Sequence, residues 1–295
     1  MSGMLTYHET PIHEIIDPKL ERSGITLFVK REDLNHPFVS GNKWWKLKYN
    51  LAEAKRLGQK TLLTFGGAYS NHIYATAAAA RELGFKSIGV IRGEELSPSN
   101  PTLSFAESCG MKFRFISRER YRGKGSEQIL STLREEFGDF YHIPEGGTNE
   151  LAIKGVQELA RKTAQQVDYV CCPVGTGGTL AGLINEMAAA VTVVGFSALK
   201  GNFLRDEVAS WLVNKQHHPK WDIITDYHFG GYGKYDEKLL EFISYQGGTN
   251  QLPLEHVYTG KCLYGIYDLI KKNYFEKGSR ILFLHTGGLQ GILHT

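Results

Sequence analysis

The sequence predicts an α/β protein of two packed units, each a mostly parallel sheet flanked by helices. Three observations carry this. Short β-rich runs alternate with longer amphipathic ones along the 295 residues, the order of parallel strands joined by crossover helices. Several β-rich runs are apolar throughout, as strands are when both sheet faces are covered. Three of them run straight into glycines, where sheets of this kind meet their ligands.

In chain order the expected strands are "ITLFVKRED" from Ile25, "TLLTFGG" from Thr61, "SIGVIRG" from Ser87, "KFRFIS" from Lys112, "DYVCCPVG" from Asp168, "VTVVGFSAL" from Val191 and "RILFLHTGG" from Arg280. Helices are expected from Lys43, in "NHIYATAAAARELG" from Asn71, in "GSEQILSTLREEFG" from Gly125 and in "LAIKGVQELARKTAQ" from Leu151. Two more are expected near Leu180 and in "KCLYGIYDLIKKNYF" from Lys261. The Pro/Ser-rich "LSPSNPTLS" from Leu96 reads as a surface loop leading into a helix. There is no repeat or low-complexity tract.

The net charge of +3 comes without a basic arm or block, so nucleic acid is not an expected partner. Cys109, Cys171, Cys172 and Cys262 form no C-x-x-C pair, and reduced thiols in the cytoplasm are the simple reading. The N-terminal residues lack a signal pattern and no apolar run reaches membrane-spanning length, so no membrane association is expected. His72, His256 and His285 lack metal-ligand spacing and read as structural or pocket-polar side chains, so no metal is expected.

The sharpest glycine turn is Val174-Gly175-Thr176-Gly177-Gly178-Thr179, between a strand and a helix. Converging backbone N–H groups and the positive end of the helix suit a phosphate. It is neither a Walker loop nor a good dinucleotide fingerprint. It also reads as a plain βα turn with Thr179 as N-cap. The second is Gly66-Gly67-Ala68-Tyr69-Ser70-Asn71-His72, where Ser70 or Asn71 could simply cap the Ala-rich helix. The third is His285-Thr286-Gly287-Gly288, which also reads as a surface turn.

"GNKWWKLK", from Gly41, holds three lysines. Helix phase groups Lys43 with Leu47, Leu51 and Ala54, Lys46 with Asn50 and Glu53, and Lys48 with Ala52, Lys55 and Gln59. Lys46 and Lys48 are therefore expected on solvated faces, and Lys43 at the start of the apolar stripe. A helix N-terminus and burial both lower an ammonium pKa. That is poor for a structural cation and good for an amine that must be neutral to form a Schiff base. Such a lysine beside a phosphate cup describes pyridoxal 5'-phosphate.

The stretch "SGNKWWKLKYNLAEAKRLGQKTLLTFGGAYSNH" resembles the 1-aminocyclopropane-1-carboxylate (ACC) deaminase / D-cysteine desulfhydrase family of tryptophan-synthase-β-like, fold type II pyridoxal phosphate enzymes. The likeness continues through "PEGGTN", "VGTGGTLAGL", "GYG", "VYTGK" and "LFLHTGG". It implies the two-domain fold, with residues 41–145 as a smaller α/β domain inserted in the chain and 1–40 plus 146–295 as the larger cofactor-binding domain. It implies Lys43 as the Schiff-base lysine and Ser70 near the substrate carboxylate or in proton transfer. Asn71 would bond the cofactor's phenolic oxygen, and Gly175, Thr176, Gly177, Gly178 and Thr179 would hold the phosphate. Tyr232 and Tyr258 match the two active-site tyrosines, and Thr286 lies in the "HxGG" turn beside the cofactor. A homodimer is the inherited expectation.

Thr259 and Thr286 match the desulfhydrase pattern, where ACC deaminases carry Glu and Leu. A Glu beside the pyridine nitrogen strengthens the electron sink, while a neutral Thr is adequate for a good leaving group. The sequence departs from the family where Trp45 replaces Arg, Lys48 replaces Glu and Glu255-His256 replaces Asp-Pro. A lyase converting D-cysteine to pyruvate, sulfide and ammonia is the leading expectation, followed by ACC deaminase activity on the same residues. A catalytically silent cofactor-binding protein and a nucleotide-binding α/β protein are the readings from other classes.

Overall fold

The computed structural model describes residues 5–94, 100–163, 166–213 and 218–292. In chain order the elements begin β1 (Ile12–Glu14), β2 (Thr26–Lys30), α1 (Asn42–Arg56), β3 (Thr61–Gly66), α2 (Asn71–Leu83), β4 (Lys86–Arg92) and α3 (Pro101–Ser108). They continue with β5 (Met111–Ile116), α4 (Arg118–Tyr121), α5 (Glu127–Phe137), β6 (Tyr141–Ile143), α6 (Glu150–Lys162), β7 (Tyr169–Val174) and α7 (Gly178–Glu186). The last are β8 (Thr192–Ser197), α8 (Phe203–Ser210), β9 (Trp221–Ile224), α9 (Glu237–Asn250), α10 (Thr259–Lys271) and β10 (Arg280–Leu284).

The chain divides into two compact units. The first comprises the chain up to Tyr7, His36–Val39 and Lys43–Gly155; the second comprises His8–Asn35, Ser40–Asn42 and the chain from Val156. The first unit holds a parallel sheet in the order β5-β4-β3-β6. Leu63, Phe65, Ile88 and Val90 pack with Leu130 and Leu133 of α5, and Ile91 packs with Ile73 and Ala77 of α2 and Leu103 and Ala106 of α3. Both sheet faces are thus covered, which is why these strands are apolar throughout.

The second unit holds a sheet in the order β1-β2-β10-β7-β8-β9, parallel except for β1. The last strand therefore lies in the middle. Leu27, Val29, Cys171, Val194, Phe196, Ile281 and Phe283 form its core with Cys262, Leu263, Ile266 and Ile270 of α10. All four cysteines are buried free thiols. Among the described residues no helix is long and apolar enough to cross a membrane, and no cluster of His, Cys, Asp and Glu could hold a metal ion.

All seven expected strands form, with β2 shorter than "ITLFVKRED": it ends at Lys30, and Glu32–Leu34 turns into a short 3-10 helix. The structure adds β1, β6 and β9, which are three or four residues long. Residues 96–99 of the expected loop lie outside the described residues. Asn100, the next, caps α3 by accepting the Leu103 N–H at 3.0 Å.

Candidate active site

The three lysines of α1 are unequal, but not as helix phase ordered them. Leu47, Leu51 and Ala54 are buried as expected. Lys46 is buried too, at 1 % exposure, which corrects its expected place on a solvated face. Its Nζ donates to the Gly146 carbonyl at 2.7 Å and the Thr148 hydroxyl at 2.9 Å. The same polar face is sealed by Asn50, which bonds Asn149 and accepts from the Tyr141 hydroxyl at 3.2 Å. A polar face can be a buried one when polar partners close over it. Lys48 is only half-buried, its ammonium 5.7 Å from the Trp44 ring, 5.8 Å from Trp45 and 5.1 Å from Tyr49.

Burial holds the Lys43 pKa down to about 8. Burial and the neighbouring Lys43 charge push Lys46 well below the ordinary lysine range. A depressed pKa therefore does not choose between them; geometry does. Lys46 is spent on two acceptors inside the first unit, whereas Lys43 follows directly on Asn42.

Asn42 is fastened in the second unit. Its side-chain amide donates to Thr179 Oγ1 at 2.8 Å, and its backbone N–H donates to the Thr286 carbonyl at 3.3 Å. The preceding Gly41 has φ +68° and is bracketed by Asn35, which accepts the Gly41 N–H at 2.9 Å and donates to the Gly41 carbonyl at 3.0 Å. Asn35 also donates to Glu32 at 2.9 Å, and Thr10 donates to the other oxygen of that carboxylate at 2.6 Å. Sequence reasoning missed Asn35, Glu32 and Asn42. The available signal was "REDLN" following an apolar strand, all five residues of which lie in or beside the 3-10 turn.

In the turn after β7, Gly177 stands at the N-cap of α7, with φ +79° and no side-chain cap hydrogen bond. The expected N-cap alternative for Thr179 does not hold, since its hydroxyl sits inside the helix and accepts from Asn42 instead. A Cβ on Gly175 would stand 3.1 Å from Tyr258 Cε1 and 3.3 Å from its hydroxyl, so the phenol packs directly on the glycine turn. The Tyr232 ring meets the Tyr258 ring edge-on, 5.9 Å between centroids. The second unit thus brings Gly175–Thr179, Tyr232, Tyr258, Thr286 and Asn42 into linked contact.

Glu255 organises the start of α10. Its buried carboxylate accepts the backbone N–H groups of Val257 at 2.5 Å, Tyr258 at 2.9 Å and Thr259 at 2.7 Å. The Thr259 hydroxyl lies 3.1 Å from the same carboxylate. Burial pushes the Glu255 pKa up, against these hydrogen bonds that hold it down. The "HTGG" turn is buried, which corrects its reading as a surface turn. His285 Nδ1 accepts the Gly287 N–H at 3.2 Å, so its Nε2–H donates to the Pro253 carbonyl at 2.7 Å.

In the first unit Ser70 is the N-cap of α2, accepting the N–H groups of His72 at 3.2 Å and Ile73 at 3.4 Å. Its hydroxyl proton is left to donate. Asn71 is the first helical residue. His72, buried behind them, meets the Thr64 hydroxyl at 2.8 Å, and burial keeps its pKa well below the ordinary value. Trp45 is buried inside this unit, edge-on to Tyr7 at 4.9 Å and to Trp44 at 4.9 Å.

A family model described as "Pyridoxal-phosphate dependent enzyme" matches residues 4–287. The chain belongs to that family. A Pyrococcus abyssi protein provisionally named 1-aminocyclopropane-1-carboxylate deaminase is 35 % identical, covering 97 % of this chain and 91 % of its own. The bifunctional D-cysteine desulfhydrase/1-aminocyclopropane-1-carboxylate deaminase of Arabidopsis thaliana, a mitochondrial protein, is 32 % identical over 98 % of this chain and 78 % of its own. A crystal structure of an ACC deaminase homologue superposes with a TM-score of 0.85 at 30 % identity, covering 97 % and 91 % of the two chains.

The pyridoxal-phosphate enzyme carries residues that fit its cofactor. A helix N-terminus that opens on glycines with no side-chain cap presents its first-turn backbone N–H groups to a phosphate. Next to Asn42, the Thr179 partner, stands a lysine whose amine is substantially neutral near pH 8.

Proposed function

We propose that this pyridoxal-phosphate enzyme is a lyase that removes the β-substituent and the amino group of a small amino acid, with D-cysteine as the leading substrate. Lys43 would hold the cofactor's aldehyde carbon, Gly175–Thr179 its phosphate and Asn71 its phenolic oxygen, with Thr286 lining the same turn region. The second unit is in this reading the phosphate-holding one. When bound, pyridoxal phosphate supplies an electron sink for the pair left at the α-carbon on proton removal.

The chain's own groups do the rest. The Lys43 amine, with a pKa of about 8, can take a proton near neutral pH. The Ser70 oxygen is occupied by its cap bonds, so its O–H is the end available to a substrate carboxylate. The paired phenols of Tyr232 and Tyr258 can carry a proton at the leaving β-substituent.

The observation that carries the D-cysteine reading is Thr259. It is a neutral, buried hydroxyl bonded to Glu255, the partner adequate for a thiolate leaving group. ACC ring opening is the second reading, favoured by the names of the relatives. A panel decides: sulfide and pyruvate release from D-cysteine against 2-oxobutyrate release from ACC. A kcat/KM for D-cysteine about tenfold or more above that for ACC is expected. The reverse ratio makes ACC the substrate. Turnover of neither, with turnover of other small amino acids, removes the argument from Thr259 and Thr286. A colourless protein that pyridoxal phosphate cannot turn yellow would remove the whole reading. We further expect a cytoplasmic homodimer, which static light scattering on size-exclusion fractions and fractionation of cells test directly.

A further inference from the structure

Lys261 is the third residue of α10, two after Thr259, and has no part in the proposed chemistry. It is 2 % exposed. Its Nζ donates to the His228 carbonyl at 2.9 Å and to the Gly231 carbonyl at 2.9 Å. Those two residues belong to the turn that leads into Tyr232.

The turn is an unusual one. Phe229, Gly230, Gly231 and Gly233 all have positive φ, at 53°, 93°, 118° and 67°. Glycine takes a positive φ at little cost but Phe229 does not, so the turn persists only where its surroundings hold that residue in place. Inside the turn, the Gly231 N–H bonds the His228 carbonyl at 3.0 Å and the Lys234 N–H bonds the Gly231 carbonyl at 3.1 Å. Each carbonyl thus uses one lone pair locally and offers the other to Lys261. The local bonds shape the turn; Lys261 ties its carbonyls to α10, alongside the Phe229 ring, which meets Tyr264 of α10 edge-on at 5.1 Å, and the Tyr227 hydroxyl, which donates to Asp268 of α10 at 2.7 Å. Burial holds the Lys261 pKa down to about 8, while the Glu255 carboxylate pushes it back up. An ammonium this buried is costly, and a structural purpose offsets the cost only through strong acceptors.

We propose that Lys261 is a positioning residue: it clamps the 228–231 turn onto α10 and so fixes Tyr232 against Tyr258. Tyr258 begins the helix that carries Lys261, and its ring meets Tyr232 edge-on at 5.9 Å. One helix end therefore holds both phenols, one by its own backbone and one through an ammonium. The proposal rests on the reading of Tyr232 as an active-site residue.

The test uses Lys261→Met, Tyr232→Phe and the double variant, in the full-length protein. Without cofactor, hydrogen exchange of residues 226–236 read by mass spectrometry should quicken about tenfold in Lys261→Met, with the rest of the second unit unchanged. With pyridoxal phosphate bound, Lys261→Met should lower kcat about tenfold with little change in KM, and Lys261→Arg should recover part of it. In the Tyr232→Phe background the same Lys261→Met change should cost almost nothing further. Unchanged exchange at 226–236, or an undiminished loss of kcat in the Tyr232→Phe background, overturns the proposal. A Tyr232→Phe variant with wild-type kcat instead overturns the role given to Tyr232, while the exchange measurement still decides whether the clamp exists. If Lys261→Met does not fold, Lys261→Gln is read by the same measurements and criteria.

Discussion

A methyl group placed on Gly41 would stand 1.8 Å from the carbonyl oxygen of Thr286. The backbone there is also left-handed, with φ +68°. Gly41→Ala should therefore be destabilising by about 2 kcal/mol or more, and it should displace the peptide that leads to Lys43. Thermal unfolding measures the first effect and the midpoint of pyridoxal phosphate titration the second. An alanine variant with unchanged melting and unchanged titration would contradict the contact.

Asn35 brackets Gly41 from both sides. The Gly41 N–H keeps the Glu32 carbonyl at 3.0 Å, but Asn35→Ala leaves the buried Gly41 carbonyl and a Glu32 carboxylate oxygen without the Asn35 donor, worth about 1–3 kcal/mol. Cofactor affinity should fall with stability, because the bracket ends one residue before the Asn42–Thr179 bond. Equilibrium denaturation and cofactor titration of the same variant check both.

Lys43 and Lys46 should separate cleanly in a borohydride labelling experiment. The label on wild-type protein is expected in the peptide containing Lys43 and to disappear in Lys43→Ala. Lys46→Met should keep the label and lose about 1–3 kcal/mol of stability, since the Gly146 carbonyl and Thr148 hydroxyl lose their donor. A label that moves with Lys46 would reverse the assignment.

Cofactor uptake should depend on pH through Lys43. Its amine is held at a pKa of about 8. The neutral, nucleophilic fraction grows as pH rises towards that value and is nearly complete about one unit above it. The uptake rate by apoprotein should climb between roughly pH 7 and 9 and then level. A rate still rising steeply near the ordinary lysine range would mean that burial does not perturb this amine.

Trp45 and Lys48, both on α1, should be energetically coupled. The Lys48 ammonium stands 5.8 Å from the Trp45 ring and 5.7 Å from Trp44. A double-mutant cycle with Trp45→Leu and Lys48→Met should give a coupling of about 0.5–1 kcal/mol. A value indistinguishable from zero would leave the two exchanges independent.

Strands that run apolar through both covered faces were readable, and so were the glycine turns that end them. The short strands were not: "YHI" of β6 and "WDII" of β9 are too brief for any period to emerge. Within α9, the Gly247-Gly248 pair signals a turn. The helix nevertheless runs through it to Asn250, with Gln246 just before the pair buried within 3.5 Å of Asp17. At the site, motif order pointed to Lys43, Ser70, Thr179 and Tyr258, but the supporting groups were illegible. Lys46 looked solvated because helix phase sees only its own helix, and the group that buries it arrives about a hundred residues later.

The Asn42–Thr179 bond spans 137 residues, and the Thr286 carbonyl that accepts the Asn42 N–H follows β10, the last strand made and a central one in its sheet. Lys43 is made well before Thr179 and Thr286, the groups that fix the residue preceding it. A nascent or truncated chain lacking β10 would carry the Lys43 amine without the Thr286 carbonyl that holds Asn42. Capture of pyridoxal phosphate through Lys43 would then wait until β10 has been made and paired.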